Sequence, residues 1–184
     1  MLRIHTGFWG VLASCRMALL AAIFLPTAAH ADDRYLLNIT NPQPFPDITF
    51  KVPGGGMTSL SKEKGKLTVV HFWATWCVPC IDELPEINEI QKKYEVIGLK
   101  VIGISMDGEN NFPKVKAFLE EHKLLMKPYL DVGTSAFTDA KIKGLPTSVF
   151  INEKGERIAI SEGKLDWLNP RTTGFLEFNL YNKK

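Results

Sequence analysis

Apolar and polar positions along the chain fall into three kinds of stretch. The first alternates. Ile48, Phe50 and Val52 are separated by single polar residues, a period that predicts a short strand with one buried face. Pro53-Gly54-Gly55-Gly56 then reads as a turn, Met57 to Leu60 as the returning strand of a hairpin, and Lys62 to Lys66 as a charged connection. The second kind is nearly continuous. Leu67 to Trp73 is apolar on both faces, as a central strand covered on both sides of a sheet requires, and Leu99 to Ser105 and Thr147 to Asn152 supply further strands. The third repeats at helical spacing: Ile81, Leu84, Ile87, Ile90 and Tyr94 predict a helix from Pro79 to Tyr94. Pro85 inside it cannot donate to the Ile81 carbonyl, so a kink is expected there.

Beyond that helix, Pro113 to Lys123 predicts a second one burying Val115, Phe118 and Leu119, and Ser135 to Lys141 a short third. Glu153-Lys154-Gly155-Glu156 turns the strand at Thr147 into a last strand, Arg157 to Ser161. Asn169-Pro170 has the form of a cap and first-turn proline for a terminal helix carrying Phe175, Leu176 and Leu180. The order β-β-β-α-β-α-α-β-β-α describes an α/β sheet between helices, with a parallel βαβ core and an antiparallel hairpin end. No internal repeat and no second domain is evident.

Of the 184 residues, 45% are hydrophobic and 23% charged, ordinary for a globular protein. The first 31 differ. They carry Arg3 and Arg16, no acidic residue, an apolar run from Met17 to Leu25 broken by Pro26, and the small-residue end Ala29-His30-Ala31. This is the layout of a secretory signal peptide cleaved after Ala31, which implies export to the periplasm. Two other readings stay open. An uncleaved anchor needs roughly 20 continuous apolar residues, and Arg16 cuts this run short; Leu12-Ala13-Ser14-Cys15 also resembles a lipobox. Behind the signal segment, residues 32–44 are polar and proline-rich and read as an extended leader to a domain over 45–184.

Removing Arg3 and Arg16 leaves 20 basic residues against 20 acidic ones, so the exported chain is formally neutral. That balance argues against a nucleic-acid partner. Cys15 is lost as well, leaving Cys77 and Cys80 in Trp76-Cys77-Val78-Pro79-Cys80. A bridge between them closes so short a loop that it constrains little of the unfolded chain, so the pair is chemical rather than a staple. A strand running into Cys77 and a helix leaving it place that sulfur at a helix N-terminus, where free N–H groups favour a thiolate. Cys77 is then the nucleophile, and Cys80, one turn deeper, the resolving thiol.

Magnitudes bear on the direction of electron flow. Lowering a thiol pKa from about 8.5 to about 7 raises the thiolate about 16-fold at neutral pH, but intrinsic nucleophilicity falls about 5-fold, so the kinetic gain is only about threefold. A pKa of about 3.5 would stabilise the reduced form by roughly 4.8 kcal/mol, on the order of 100 mV towards an oxidant. A reductant avoids that extreme. Val78 is apolar, and Asp82 and Glu83, read as first-turn acids, oppose a very low pKa and favour a reductant. A zinc site would need two further ligands where only His71 and His122 are on offer, and c-type haem attachment would need a histidine where Ile81 stands.

Phe72-Trp73-Ala74-Thr75-Trp76-Cys77-Val78-Pro79-Cys80, continued by Glu83 and Pro85, resembles the active-site turn of the thioredoxin superfamily, and more specifically its TlpA/ResA branch of exported thiol–disulfide oxidoreductases. Phe45-Pro46-Asp47-Ile48-Thr49-Phe50 upstream is similar to the hairpin that branch adds. Downstream, Gly144-Leu145-Pro146-Thr147-Ser148-Val149-Phe150-Ile151 resembles the superfamily's cis-proline loop, with Gly155 and Gly163 in its closing hairpin. The resemblance covers roughly residues 45–168.

The resemblance implies a thioredoxin fold, a central mixed sheet flanked by helices, with an added N-terminal β-hairpin. It implies a cis Leu145–Pro146 bond that holds the loop against the dithiol and offers backbone groups to a partner chain. It implies that Glu83 lies under the dithiol and moves protons during exchange; the alternative is an acid complementing the helix dipole. Trp73 and Trp76 are expected to cover the site, with Trp76, Val78, Pro79 and Leu145 meeting the substrate. His71 departs from the pattern by standing where thioredoxins carry a buried acid, as a proton relay or as a packed core histidine. The implied partners are a protein thiol or disulfide, such as apocytochrome c or a copper-site protein, and a membrane-embedded electron donor; no metal or organic cofactor is implied. A disulfide-forming oxidant and a copper chaperone are the competing functions, the latter lacking its usual C-x-x-x-C spacing and downstream histidine.

Overall fold

The computed structural model describes residues 37–182; the segment 1–31, with its expected cleavage site and Cys15, lies outside the described residues. Within 37–182 the elements follow in the order β1 (Asn38–Pro44), β2 (Thr49–Lys51), β3 (Met57–Ser59), α1 (Leu60–Glu63), β4 (Leu67–Trp73), α2 (Val78–Tyr94), β5 (Leu99–Ser105), α3 (Phe112–Glu121), β6 (Tyr129–Leu130), α4 (Ser135–Asp139), β7 (Thr147–Asn152), β8 (Glu156–Glu162) and α5 (Pro170–Tyr181). They form one mixed sheet, ordered β1-β8-β7-β4-β5-β6-β2-β3.

All seven residues of β4 are buried, which explains their nearly continuous apolar run. β5 pairs with it in parallel from Leu67↔Leu99 to Trp73↔Ser105, and β7 antiparallel from Leu67↔Asn152 to Phe72↔Thr147. The pleat sends alternate β4 side chains to opposite layers. Leu67, Val69 and Trp73 join a core built with α2 (Leu84, Ile87, Tyr94), α3 (Val115, Leu119) and α5 (Leu176, Leu180). Val70 and Phe72 join the other, with Phe50, Leu60, Tyr129 and Ala136. His71 shares the parity of Val69 and Trp73, and so faces the layer that contains α2.

Three elements escape the periodicity. The polar segment expected as an extended leader contributes β1, an exposed edge strand pairing antiparallel with β8. Its pairing is made by backbone groups, so side-chain alternation carries no trace of it, and Pro42 and Pro44 are tolerated because an edge strand leaves one set of N–H groups unused. β6 is two residues long, too short to show a period. α1 turns Leu60 out of the expected returning strand, its first turn tied by Asp47, which accepts from the Ser61 N–H at 2.7 Å and the Ser61 hydroxyl at 2.8 Å.

Two helices stop short of their expected ends, α3 before Lys123 and α4 before Lys141, because those lysines take positive φ values of 54° and 55°. α2 continues past Pro85, which lies on its exposed side. No helix among the described residues is long and apolar enough to cross a membrane.

Gly98 ends the turn that joins α2 to β5. Its φ is +107°, and a Cβ there would stand 2.9 Å from Lys66 Cβ. Gly98→Ala is expected to cost about 1–2 kcal/mol from the left-handed backbone and the clash; a urea melt checks it, and an unchanged midpoint would refute it.

Candidate active site

β4 ends at Trp73 and α2 starts at Val78, so the intervening residues must turn sharply at the edge of the sheet. Asp107, just past the end of β5, fixes that turn. Its carboxylate accepts from the Thr75 N–H at 2.8 Å, the Thr75 hydroxyl, the Ser105 hydroxyl at 2.7 Å and Lys114 Nζ at 3.0 Å. Burial acts to raise the Asp107 pKa, but the donated hydrogen bonds win and hold it below the ordinary carboxylate value. Sequence reasoning missed Asp107, because nothing local distinguishes it from other loop acids.

Cys77 is the N-cap of α2, and its Sγ accepts the Cys80 N–H at 3.3 Å. The two sulfurs are joined as a disulfide with Cα atoms 5.2 Å apart. Cys77 keeps 6% of its surface exposed and Cys80 none, an asymmetry that leaves one sulfur open to attack. Trp76 and Val78 flank it, 64% and 67% exposed. With Cys77, Pro79, Met106, Thr134, Phe137, Gly144 and Leu145 they line a groove of about 710 Å³. The expected partner-facing residues Trp76, Val78, Pro79 and Leu145 therefore come together; Met106, Thr134 and Phe137 were not anticipated. The Leu145–Pro146 bond is cis, and Pro146 is itself buried, its carbonyl accepting the Gly163 N–H at 2.8 Å.

The first turn of α2 is Val78-Pro79-Cys80 and carries no acid. This corrects the reading of Asp82 and Glu83 as first-turn acids: the helix begins at Val78, so both lie a turn further on and bear less on the N-terminal sulfur. Asp82 stays half exposed, 3.6 Å from Lys164 Nζ. Glu83 follows Cys80 by three positions, on the same face of the helix, and is fully buried. Its Oε2 accepts the Leu165 N–H and the Trp167 indole N–H, each at 2.9 Å. A carboxyl so enclosed is not an exposed acid complementing the dipole. Burial pushes it from the ordinary 4.5 up to about 7, against the opposing pull of the two donors.

Glu83 Oε1 has no hydrogen-bond partner and faces His71 Nε2, equally unpartnered, at 3.8 Å. His71 is fully buried and is bonded through Nδ1 to Ser148 Oγ at 2.9 Å. Burial holds its pKa down to about 3, keeping the ring neutral. Trp167 closes the pocket, edge-on to His71 with ring centroids 6.4 Å apart. Trp167 went unnoticed in the sequence; the one available signal was a large aromatic residue in the short connection from Lys164 to Pro170. Among the described residues no three His, Cys, Asp or Glu side chains gather as a metal site. His122 is exposed and stacks on Phe118, with 4.1 Å between ring centroids.

A sequence model of the AhpC/TSA family matches residues 42–158. Thioredoxin-like protein YneN of Bacillus subtilis is 33% identical over 121 residues, covering 65% of this chain and 69% of that protein. Thiol-disulfide oxidoreductase ResA of Bacillus cereus is 33% identical over 102 residues, covering 55% of this chain but only 58% of its own length. Among solved structures, StoA from Bacillus subtilis superposes with a TM-score of 0.54 at 28% identity, covering 66% of this chain and 92% of that one.

The Glu83 shift has a consequence for stability. Between the unfolded value and about 7, the native state binds more protons than the unfolded one, so stability falls as pH rises through that window. The loss amounts to roughly 3 kcal/mol. Urea unfolding of the oxidised protein from pH 4 to 8 is expected to show this decline relative to Glu83→Gln; parallel curves would refute it.

Proposed function

The chain belongs to the AhpC/TSA family and is a thiol–disulfide oxidoreductase, and we propose that it works outside the cytoplasm as a reductant of protein disulfides. The observation that carries this reading is the unequal burial of the two sulfurs, with Cys77 lining an apolar groove and Cys80 fully enclosed, one helical turn before the buried Glu83. A groove beside the attacking sulfur suits a polypeptide substrate, which must present its own disulfide next to apolar side chains. Trp76, Val78, Pro79 and Leu145 would make that contact, and the loop at Pro146 would offer backbone groups to the incoming chain.

In the reduced protein the Cys77 thiolate attacks one sulfur of the substrate disulfide. A Cys77–substrate bond forms, and the other substrate sulfur leaves as a thiolate and takes a proton from water. Cys80 gives its proton to the Glu83 carboxylate, then attacks Cys77 Sγ and releases the second substrate sulfur as a thiolate, which takes a proton from water. Two electrons have passed to the substrate, and the protein is left as the disulfide described above. A group titrating near 7 suits this step, because both its protonation states are populated at neutral pH. Two thiols suffice for the chemistry, and no cofactor is invoked.

A membrane-embedded dithiol donor would restore the reduced form, and the substrates would be cysteine pairs that must be reduced before assembly, as in apocytochrome c or copper-site proteins. Neither Val78 nor Pro79 brings a positive charge to the Cys77 thiolate, which supports a reducing rather than an oxidising pair.

Equilibration with a glutathione or dithiothreitol series at pH 7 is expected to give a reduction potential below about −220 mV; a value above about −150 mV would make the protein a disulfide donor instead. Cys80→Ser is expected to accumulate a mixed disulfide with its substrate through Cys77, resolved as a band sensitive to reductant in gel electrophoresis.

A further inference from the structure

Glu83 must exist both as a carboxylate and as a neutral acid if it is to take and return a proton, yet it is walled off from water. A buried group that changes charge needs neighbours that can satisfy both forms, since an unpaired buried charge is costly. Oε2 is committed to the N–H groups of Leu165 and Trp167, which donate and cannot accept. Oε1 is the free oxygen, and among the described residues His71 Nε2, equally unpartnered, lies 3.8 Å from it.

We propose that His71 and Ser148 form a reversible hydrogen-bond relay that matches Glu83 in both of its protonation states, with His71 as the positioning residue. This rests on the reading of Glu83 as the proton carrier. When Glu83 is neutral, its proton lies on Oε1 and is donated to His71 Nε2; Nδ1–H then donates to Ser148 Oγ. When Glu83 is ionised, Nε2–H donates to Oε1, and Nδ1 accepts from the Ser148 hydroxyl. The ring is neutral in both arrangements, which differ in tautomer: the Nδ1 proton is given up to solvent and one is taken from solvent at Nε2, an exchange that leaves the proton count between Glu83 and Cys80 unchanged. A hydroxyl can serve because it donates and accepts equally well.

The 3.8 Å gap in the disulfide form closes to a hydrogen bond with a shift of about 1 Å, in keeping with catalytic hydrogen bonds that tighten during reaction. No proton is created or lost in the relay. The proton that Glu83 takes comes from Cys80, and the one it returns goes back to the dithiol when the protein is next reduced.

The other charged groups around Glu83 are few. α2 contributes Asp82 and Glu86, the latter accepting the Trp167 backbone N–H at 3.0 Å. The loop after β8 contributes Lys164, paired with Asp82, and Asp166. β4 contributes His71 alone, and β7 the uncharged Ser148.

The test is a carboxyl titration of the oxidised protein, in which the cysteines carry no proton. With 13C at the glutamate carboxyl carbons, the Glu83 resonance is the one missing from Glu83→Gln. In the wild type its midpoint is expected near 7. His71→Leu removes the donor that faces Oε1, and a bond to the charged form is the stronger of the two, so the midpoint rises by about one pH unit. Ser148→Ala raises it less. His71→Gln carries an amide that can donate or accept after rotation, and is expected to return the midpoint to within about half a unit of wild type.

A His71→Leu midpoint no higher than wild type overturns the relay, as does a His71→Gln midpoint as high as that of His71→Leu. A purely structural histidine would lower the melting temperature without moving the titration. Disulfide exchange by Glu83→Gln separates the two readings: wild-type rates and pH dependence there would sink the role of Glu83 itself, whatever the His71 variants show.

Discussion

A carboxyl group sealed in the core one helical turn past the dithiol is the constraint on which the rest of this protein turns. Glu83 lies on α2 three residues past Cys80, and leaving it unpaired there would cost several kcal/mol. The structure meets that need from far along the chain, with the Leu165 N–H and the Trp167 indole reaching Oε2. Those bonds fix the loop between β8 and α5 against the active-site helix. Trp167 in turn packs on Phe150 of β7 and edge-on to His71 of β4. One buried acid thus ties together α2, the two central antiparallel strands and the segment leading into α5.

Around that anchor, two further devices set the chemistry. Asp107 holds the Thr75 turn from the end of the neighbouring parallel strand, so the position of Cys77 is set by β5 as well as by β4. The cis Leu145–Pro146 loop borders the same groove from β7. The reactive sulfur therefore lies between loops from three adjacent strands, each rooted in a buried sheet. Placing the site on rigid elements keeps the sulfur exposed by only a few per cent while its partner is enclosed.

The electrostatics follow from burial rather than from charge pairing. Glu83 and His71 are both pushed towards their neutral forms by the loss of water, in opposite directions on the pH scale. Between them lies a gap that neither fills, with Glu83 Oε1 and His71 Nε2 both left without a hydrogen-bond partner. Such an unsatisfied pair is costly in a static core and useful where a proton must come and go.

The local alphabet of the chain determined β4, β5 and β7 to their end residues, because strands buried on both faces write themselves as nearly continuous apolar runs. It also determined the dithiol and the helix that follows, through Trp76-Cys77-Val78-Pro79-Cys80 and the spacing of Leu84, Ile87, Ile90 and Tyr94. What it could not carry was anything made by backbone pairing or by contacts across many residues. β1 pairs through its backbone and leaves no periodicity; α2 starts a residue earlier than its apolar pattern indicates, which moved Asp82 and Glu83 out of the first turn. Asp107, Trp167 and the His71–Glu83 approach depend on groups 12 to 84 positions apart in sequence meeting in space. The residue types were legible; which of them share a pocket, and so which are neutral and which charged, was decided only when the sheet brought them together.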